Sequence, residues 1–453
     1  MHARRGQRTF SPESLAEILR DLPTASRYWL AYSGGCDSHA LVHAAAHLRQ
    51  GDAAKSFLAV HVDHGLQTAS VMWARHCEAV CTELDIPFTL LRIDARADAG
   101  ESPEAAARYA RYRALSGLMQ AGDCLLTAHH QDDQAETVLL QLLRGGGPHG
   151  LAAMPEVCEF AAGLHARPLL AFSREELHRY AKVNSLQWIE DPSNLDGGFD
   201  RNYLRNTVMP ALRERWPALP RVLARGADHQ AEAAQLLDDL AAHDLRRCEA
   251  ANRTLRITDL TVLDAARQRN VLRYWLKRLG FKLPDTVRLS HVQRDVLHAA
   301  PDRTPEVQWD GVVVRRYRDH VYALAPQVPR DENTVLRWNL DRDLVLPDGS
   351  ILVAVPLHGS GVKRALCERG VVTVRHRQGG ESCQIARRGA TRPLKKLLQE
   401  AGVPPWERQS IPLVYVGEQL AAVAGYWICA PCQAEEDEDG IAFEWRRPAR
   451  DGA

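Results

Sequence analysis

Ser33-Gly34-Gly35-Cys36-Asp37-Ser38 follows the apolar run Tyr28-Trp29-Leu30-Ala31-Tyr32 and leads into His39-Ala40-Leu41-Val42-His43-Ala44-Ala45-Ala46-His47. The order reads strand, glycine turn, helix N-terminus. Two glycines let the backbone turn sharply and approach a ligand, and free N–H groups at the helix start carry partial positive charge. Such a turn holds phosphate. Ser33 and Ser38 add hydroxyl donors, and Asp37 can meet a Mg2+ ion on that phosphate; Cys36 is the variable position and reads as a spacer. Five fixed positions in six arise by chance on the order of 10⁻⁴ times per chain, which sets this signal far above a lone Gly-x-Gly. The ordinary alternative is a Gly-Gly turn with a serine cap.

Further apolar runs, Ser56 to Val62, Phe88 to Ile93 and Cys124 to Ala128, alternate with helical patterns. Alternation of this kind predicts an α/β fold with a doubly wound parallel sheet. Ligands then bind beyond the carboxyl ends of the strands, at Ser33 to Ser38, Asp63-His64-Gly65, Asp94 and His129 to Asp133. After Trp216-Pro217 the pattern turns to long helices, then to a hairpin over Val312 to Leu324. A polar, proline-bearing stretch follows, and β-rich runs around Leu344, Ile351 and Val371 surround a helix from Arg392 to Ala401. We read a catalytic domain over 1–217, a helical domain over 218–325, a linker over 326–340 and a small α/β domain over 341–453. Glu435 to Asp439 reads as a solvated acidic loop.

The chain has 453 residues, 45% of them apolar, with 57 basic and 57 acidic side chains. That length supports two or three domains with real cores. The N-terminus lacks the apolar segment of a secretory signal, and no stretch reaches membrane-spanning length. Ten cysteines at irregular spacing predict reduced thiols in a cytoplasmic protein. Cys429 and Cys432 form a C-x-x-C with no second pair at zinc spacing, so they read as a strand-end coincidence rather than a metal or redox motif. Net charge near zero leaves a nucleic-acid partner open, since only the gathering of charge matters. Two basic runs stand out: Arg375 to Lys396, with Arg387, Arg388, Arg392, Lys395 and Lys396, and Arg201 to Arg225. Solvated helix faces explain either run taken alone.

The loop resembles the pyrophosphate loop of the N-type ATP pyrophosphatases, which split ATP to AMP and pyrophosphate by adenylating a carbonyl oxygen. No lysine follows the glycines, which points away from γ-phosphoryl transfer.

A second cluster, Thr127-Ala-His-His-Gln-Asp-Asp-Gln-Ala-Glu-Thr137, follows a strand and opens a helix. Asp133 and Glu136 share a helix face there, with Asp132 at the turn; such carboxylates can hold Mg2+ or take a proton from an amine. An acidic first turn complementing the helix dipole is the plain alternative. Arg108 and Arg111, three apart in Glu104 to Arg113, can stabilise phosphate charge as pyrophosphate leaves. Asp191-Pro192-Ser193-Asn194 is explained by turn chemistry alone.

The loop, His61-Val-Asp-His-Gly-Leu66, Ala-Arg108-x-x-Arg-Tyr112, the His-His-x-Asp-Asp-x-x-Glu-Thr stretch, Arg167-Pro-Leu-Leu170 and Asp-Pro-Ser-Asn194 with Arg201-Asn-x-x-Arg205 occur in this order. Together they resemble the tRNA(Ile)-lysidine synthase family, over nearly all of the first 210 residues. The helical middle and Leu394-Lys-Lys-Leu-Leu398 with Val403-Pro-Pro-Trp-Glu-Arg408 resemble that family's later domains. The resemblance implies ATP and Mg2+ as cofactors, free lysine as co-substrate and the isoleucine tRNA with anticodon CAU as partner; a homodimer is left open. It implies that Ser33, Gly34, Gly35, Cys36, Asp37 and Ser38 hold the ATP phosphates with Mg2+ at Asp37. Asp133 would hold lysine and accept its proton, with Asp132 and Glu136 as alternates, and Arg108 and Arg205 would steady phosphates or the flipped base. The basic residues from Arg387 to Lys396 would meet tRNA.

Three other readings remain. A sister tRNA thiolase needs reactive or cluster-binding cysteines, and Cys77 with Cys81 has only helical spacing. An amidotransferase relative needs an ammonia source, and no glutaminase segment is evident. A binding module without catalysis is disfavoured by the intact loop with Asp37, Asp133 and Glu136.

Overall fold

The computed structural model describes residues 9–51, 56–65, 70–94, 96, 103–191, 198–300, 303–326, 334–385 and 389–447. Two compact units divide the chain, Met1–Leu237 and Asp238–Ala453.

In the first unit the elements run α1 (Pro12–Asp21), β1 (Arg27–Ala31), α2 (Cys36–Gly51), β2 (Ser56–Asp63), α3 (Ser70–Glu83), β3 (Phe88–Arg92), α4 (Pro103–Ser116), β4 (Asp123–Leu126) and α5 (Gln131–Leu143). Then come α6 (Pro148–Leu151), β5 (Val157–Phe160), β6 (Gly163–Ala166), α7 (Arg174–Val183), α8 (Asp200–Tyr203), a π-helical turn (Leu204–Val208) and α9 (Met209–Arg215); α10 (Leu219–Cys248) begins in this unit and ends in the second. The sheet has strand order β3-β2-β1-β4-β6-β5. Every pairing is parallel except the β5–β6 hairpin, an antiparallel edge that the apolar runs did not announce because its strands are short and half-buried.

The central strand shows why the sheet is covered twice. Tyr28, Leu30 and Tyr32 pack into one core with Leu41, Phe57, Leu126 and Phe172. Trp29 faces the other way, against Val60, Leu115, Met119 and Leu125. Side chains alternate across a strand, so an uninterrupted apolar run needs apolar partners on both faces. At the amino end of the strands, Asp123 accepts from Arg27 Nε at 2.8 Å and from Trp29 Nε1 at 3.2 Å, joining β4 to β1 away from the loop.

The second unit holds helices Ala265–Arg278 and Thr286–His291 beside the predicted hairpin, found as strands Val312–Tyr317 and His320–Leu324. Beyond it lie small antiparallel sheets and the short helices Arg364–Arg369, Leu394–Glu400 and Pro405–Arg408. Glu435, Glu436 and Asp437 are exposed, as an acidic loop should be. One expectation from composition fails: Cys383 and Cys429 form a disulfide, Cα to Cα 5.4 Å, across a sequence separation of 46. Proximity over that separation is tertiary and leaves no trace in spacing. The other eight cysteines are free, and Cys432 is buried without joining Cys429 in a motif. Among the described residues, no helix is long and apolar enough to cross a membrane.

Candidate active site

Gly34 lies at φ +86°, a conformation that suits glycine, and an added Cβ would meet Ile189 Cδ1 at 3.0 Å and Cys77 Sγ at 3.2 Å. Its carbonyl accepts from Ile189 N at 2.9 Å. Ser38 Oγ lies 3.0 Å from Ser33 Oγ and donates to the Gly35 carbonyl at 3.0 Å, so the two serines tie the turn together. The turn lines a cavity of about 480 Å³ with Asp63, His64, Arg111 and His129. All sit beyond the carboxyl ends of strands or on the helix covering them, as an open parallel sheet requires.

A relay of hydrogen bonds fixes His129. Arg167 has no acceptor, so its Nη2 donates to His165 Nδ1 at 3.2 Å, which places that ring's proton on Nε2. His165 Nε2 then donates to Thr127 Oγ1 at 2.8 Å, and the hydroxyl donates to His129 Nδ1 at 2.8 Å. Burial pushes both imidazoles down to about 3, and Arg167 adds to the effect. His129 therefore faces the cavity as a neutral ring protonated at Nε2.

Beside the cavity, α5 opens on His130, whose Nε2 lies 3.5 Å from Asp37 and 3.4 Å from Asp133. Burial alone would lower its pKa; Asp133, Asp37 and Asp132 outweigh that and raise it to about 9. The carboxylates draw a proton onto Nε2, while Nδ1 accepts from the Asp133 N–H at 3.3 Å as the cap of α5. Asp133 Oδ1 accepts from Arg205 Nη2 at 2.8 Å and Arg201 Nη2 at 3.1 Å. Glu136 accepts from Arg205 Nε at 2.7 Å and Arg201 Nε at 3.0 Å. Burial pushes the Asp133 carboxyl up, but His130, Arg201, His129 and Arg205 together hold it well below the usual range. Asp132 is engaged elsewhere, by Arg213 and by Arg174 N at 2.8 Å.

Asp37 offers one more feature. Its Oδ1 is buried with no hydrogen-bond partner among the described residues. A hard oxygen donor beside a phosphate-holding turn fits Mg2+.

Comparison with known proteins decides the family. A PP-loop domain matches residues 8–212, a TilS substrate binding domain 255–322 and a TilS substrate C-terminal domain 372–445. The tRNA(Ile)-lysidine synthase of Coxiella burnetii is 43% identical over 97% of both chains. That of Methylococcus capsulatus is 40% identical over 95% of this chain and 99% of its own, and that of Escherichia coli O157:H7 39% identical over the same shares.

The chain belongs to the tRNA(Ile)-lysidine synthase family.

The geometry revises several roles expected of a lysidine synthase. Arg108 is exposed, its guanidinium 5.0 Å from the Tyr112 ring, and Arg111 lines the cavity in its place; α4 turns Arg108 outward. Arg205 is committed to carboxylates rather than open to phosphate. Asp133, with its depressed pKa, holds cations well and accepts protons poorly. Asp132 ties α5 to α7 and α9. Cys77 and Cys81 are fully buried in the sheet's core, which leaves the thiolase reading without support. In the later basic run, Arg392 pairs with Glu400, Lys395 and Lys396 are exposed, and Arg387 and Arg388 lie outside the described residues.

Sequence reading placed His130 among the residues beyond the strand ends and Arg201 and Arg213 in a basic run, but gave none of them a role. The signal was present: arginines four apart in 201–205 complement carboxylates three apart in 133–136, each pair marking one helix face.

Proposed function

We propose that the chain joins lysine to carbon-2 of the wobble cytidine in the CAU-anticodon isoleucine tRNA, consuming ATP and releasing AMP and pyrophosphate. The observation that carries this reading is the intact Ser33–Ser38 turn on the same sheet edge as the Asp133–Glu136 face. Full-length similarity to lysidine synthases supports it.

The turn's N–H groups and serines hold the ATP phosphates, with Arg111 on the cavity wall. Asp37 would hold Mg2+ against those phosphates, where it would supply charge neutralisation. The carbonyl oxygen at carbon-2 attacks the α-phosphate, the bond to the β-phosphate breaks and pyrophosphate leaves. His129 offers its Nε2–H as a neutral donor, so charge on the reacting oxygens is met without a proton being lost to them. Asp133 and Glu136 take the ε-ammonium of lysine by exchange with the guanidinium groups of Arg201 and Arg205. The held ε-ammonium gives one proton to water, the neutral ε-amine attacks carbon-2, and the bond from carbon-2 to the adenylated oxygen breaks so that AMP departs with that oxygen.

Domains over 1–217, 218–325 and 341–453 suit this division of labour, with Lys395 and Lys396 presented to tRNA phosphates. A cytoplasmic setting follows from the substrate. Pyrophosphate release that requires the cytidine tRNA tests the first step; release without tRNA would contradict it.

A further inference from the structure

The variable position of the phosphate turn is a cysteine, and nothing in the proposed reaction uses its thiol. Cys36 opens α2 and is only 7% exposed. Asp37 follows it, and His178 comes from α7, which packs on α2. Cys36 Sγ, a carboxylate oxygen of Asp37 and a ring nitrogen of His178 all lie within 4.8 Å of one another. Two atoms of the group stand unsatisfied: Asp37 Oδ1 and His178 Nε2 are buried with no hydrogen-bond partner among the described residues. A buried polar atom left unsatisfied is costly, so each calls for a ligand. Trp188 packs edge-on against the His178 ring at 5.7 Å, limiting its rotation.

Thiolate, imidazole and carboxylate together form a donor set for zinc-class ions, whereas Mg2+ prefers oxygen alone. Burial keeps His178 on the neutral side, the form that ligates. Burial, and then the Asp37 carboxylate, push the Cys36 thiol up to about 12, with Arg174 and Lys182 offsetting only part of the rise, so the thiol gives up its proton only to an incoming ion; His130, 3.5 Å from Asp37, competes for the carboxylate.

We propose that Cys36, Asp37 and His178 bind a zinc-class divalent ion with three protein ligands and one open position, at the mouth of the phosphate turn. As the Sγ–metal bond forms, the thiol proton passes to solvent and no electrons change hands. On the reading of the turn as the ATP site, the bound ion takes Asp37 away from phosphate-bound Mg2+, so zinc and ATP–Mg2+ exclude one another.

The test is binding of the metal alone to the full chain, kept reduced with a non-thiol phosphine. Co2+ should bind one per chain with proton release and a sulfur-to-cobalt charge-transfer band, and Zn2+ should displace it with no further proton release. Cys36→Ser should abolish the band, and His178→Gln should weaken Zn2+ affinity about tenfold or more. Equal thermal midpoints of the metal-free proteins show that both variants fold. A band that is absent in the parent chain, or that persists in Cys36→Ser, overturns the proposal, as does unchanged affinity in His178→Gln. No ATP or tRNA enters the measurement, so its failure leaves the lysidine reading intact, and failure of that reading leaves the metal site standing.

Discussion

At Asp133 and Glu136 two carboxylates, almost wholly buried, are paired with the two guanidinium groups of Arg201 and Arg205, and Asp133 also faces His130 Nε2. Removing one partner of such a pair leaves a buried charge uncompensated, at about 2–5 kcal/mol. Glu136→Gln should therefore weaken lysine use by tenfold or more in kcat/KM while tRNA binding holds; lysine kinetics beside a tRNA gel shift checks both. Asp133→Asn should retain tRNA binding and lose lysine incorporation, and normal turnover would remove it from the mechanism.

His130 makes a pH prediction at the same scale. Its folded pKa of about 9 lies above the ordinary 6.5. Its stabilisation is complete below about 6.5 and disappears as pH rises through about 9, a few kcal/mol for a shift of this size. Urea unfolding should show the parent chain losing that stability between these limits and His130→Gln losing clearly less. Parallel pH profiles would contradict the assignment.

At the scale of elements, the glycine turn joins β1 to α2 through a conformation only glycine takes without strain. Gly34→Ala adds that strain to close contacts with Ile189 and Cys77, and should cost roughly 1–3 kcal/mol, measured by denaturant midpoint, with weaker ATP binding. Beside the amino end of the same strand, Asp123→Ala leaves Trp29 Nε1 without its acceptor while Arg27 keeps Gln120, and should lower the denaturant midpoint without touching ATP binding. The turn and the first four strands were legible because apolar runs and glycine punctuation act locally. The β5–β6 hairpin was not, since four-residue half-buried strands carry too little pattern. Nor was the inward path of Arg201, Arg205 and Arg213. A run of arginines reads as a solvated face until the fold brings buried carboxylates to meet it.

For the whole molecule, net charge says little, because many basic side chains among the described residues are spent on partners within the fold. Of the later basic run, Arg375 pairs with Glu418, Arg377 with Glu381 and Arg392 with Glu400. Lys395 and Lys396 remain exposed on their helix. Reversing both to glutamate should weaken tRNA binding several-fold at low salt and flatten the dependence of log affinity on log salt by about two. Unchanged affinity would return the run to a solvated face. The claim that unites turn, carboxylate face and later domains is lysidine synthesis itself. Its most direct test is transfer of radiolabelled lysine to isoleucine tRNA bearing CAU, with ATP and Mg2+, beside the same tRNA carrying a wobble uridine. Label confined to the cytidine tRNA is the predicted result; label in neither, with AMP still released when sulfide or ammonia is supplied, would contradict it.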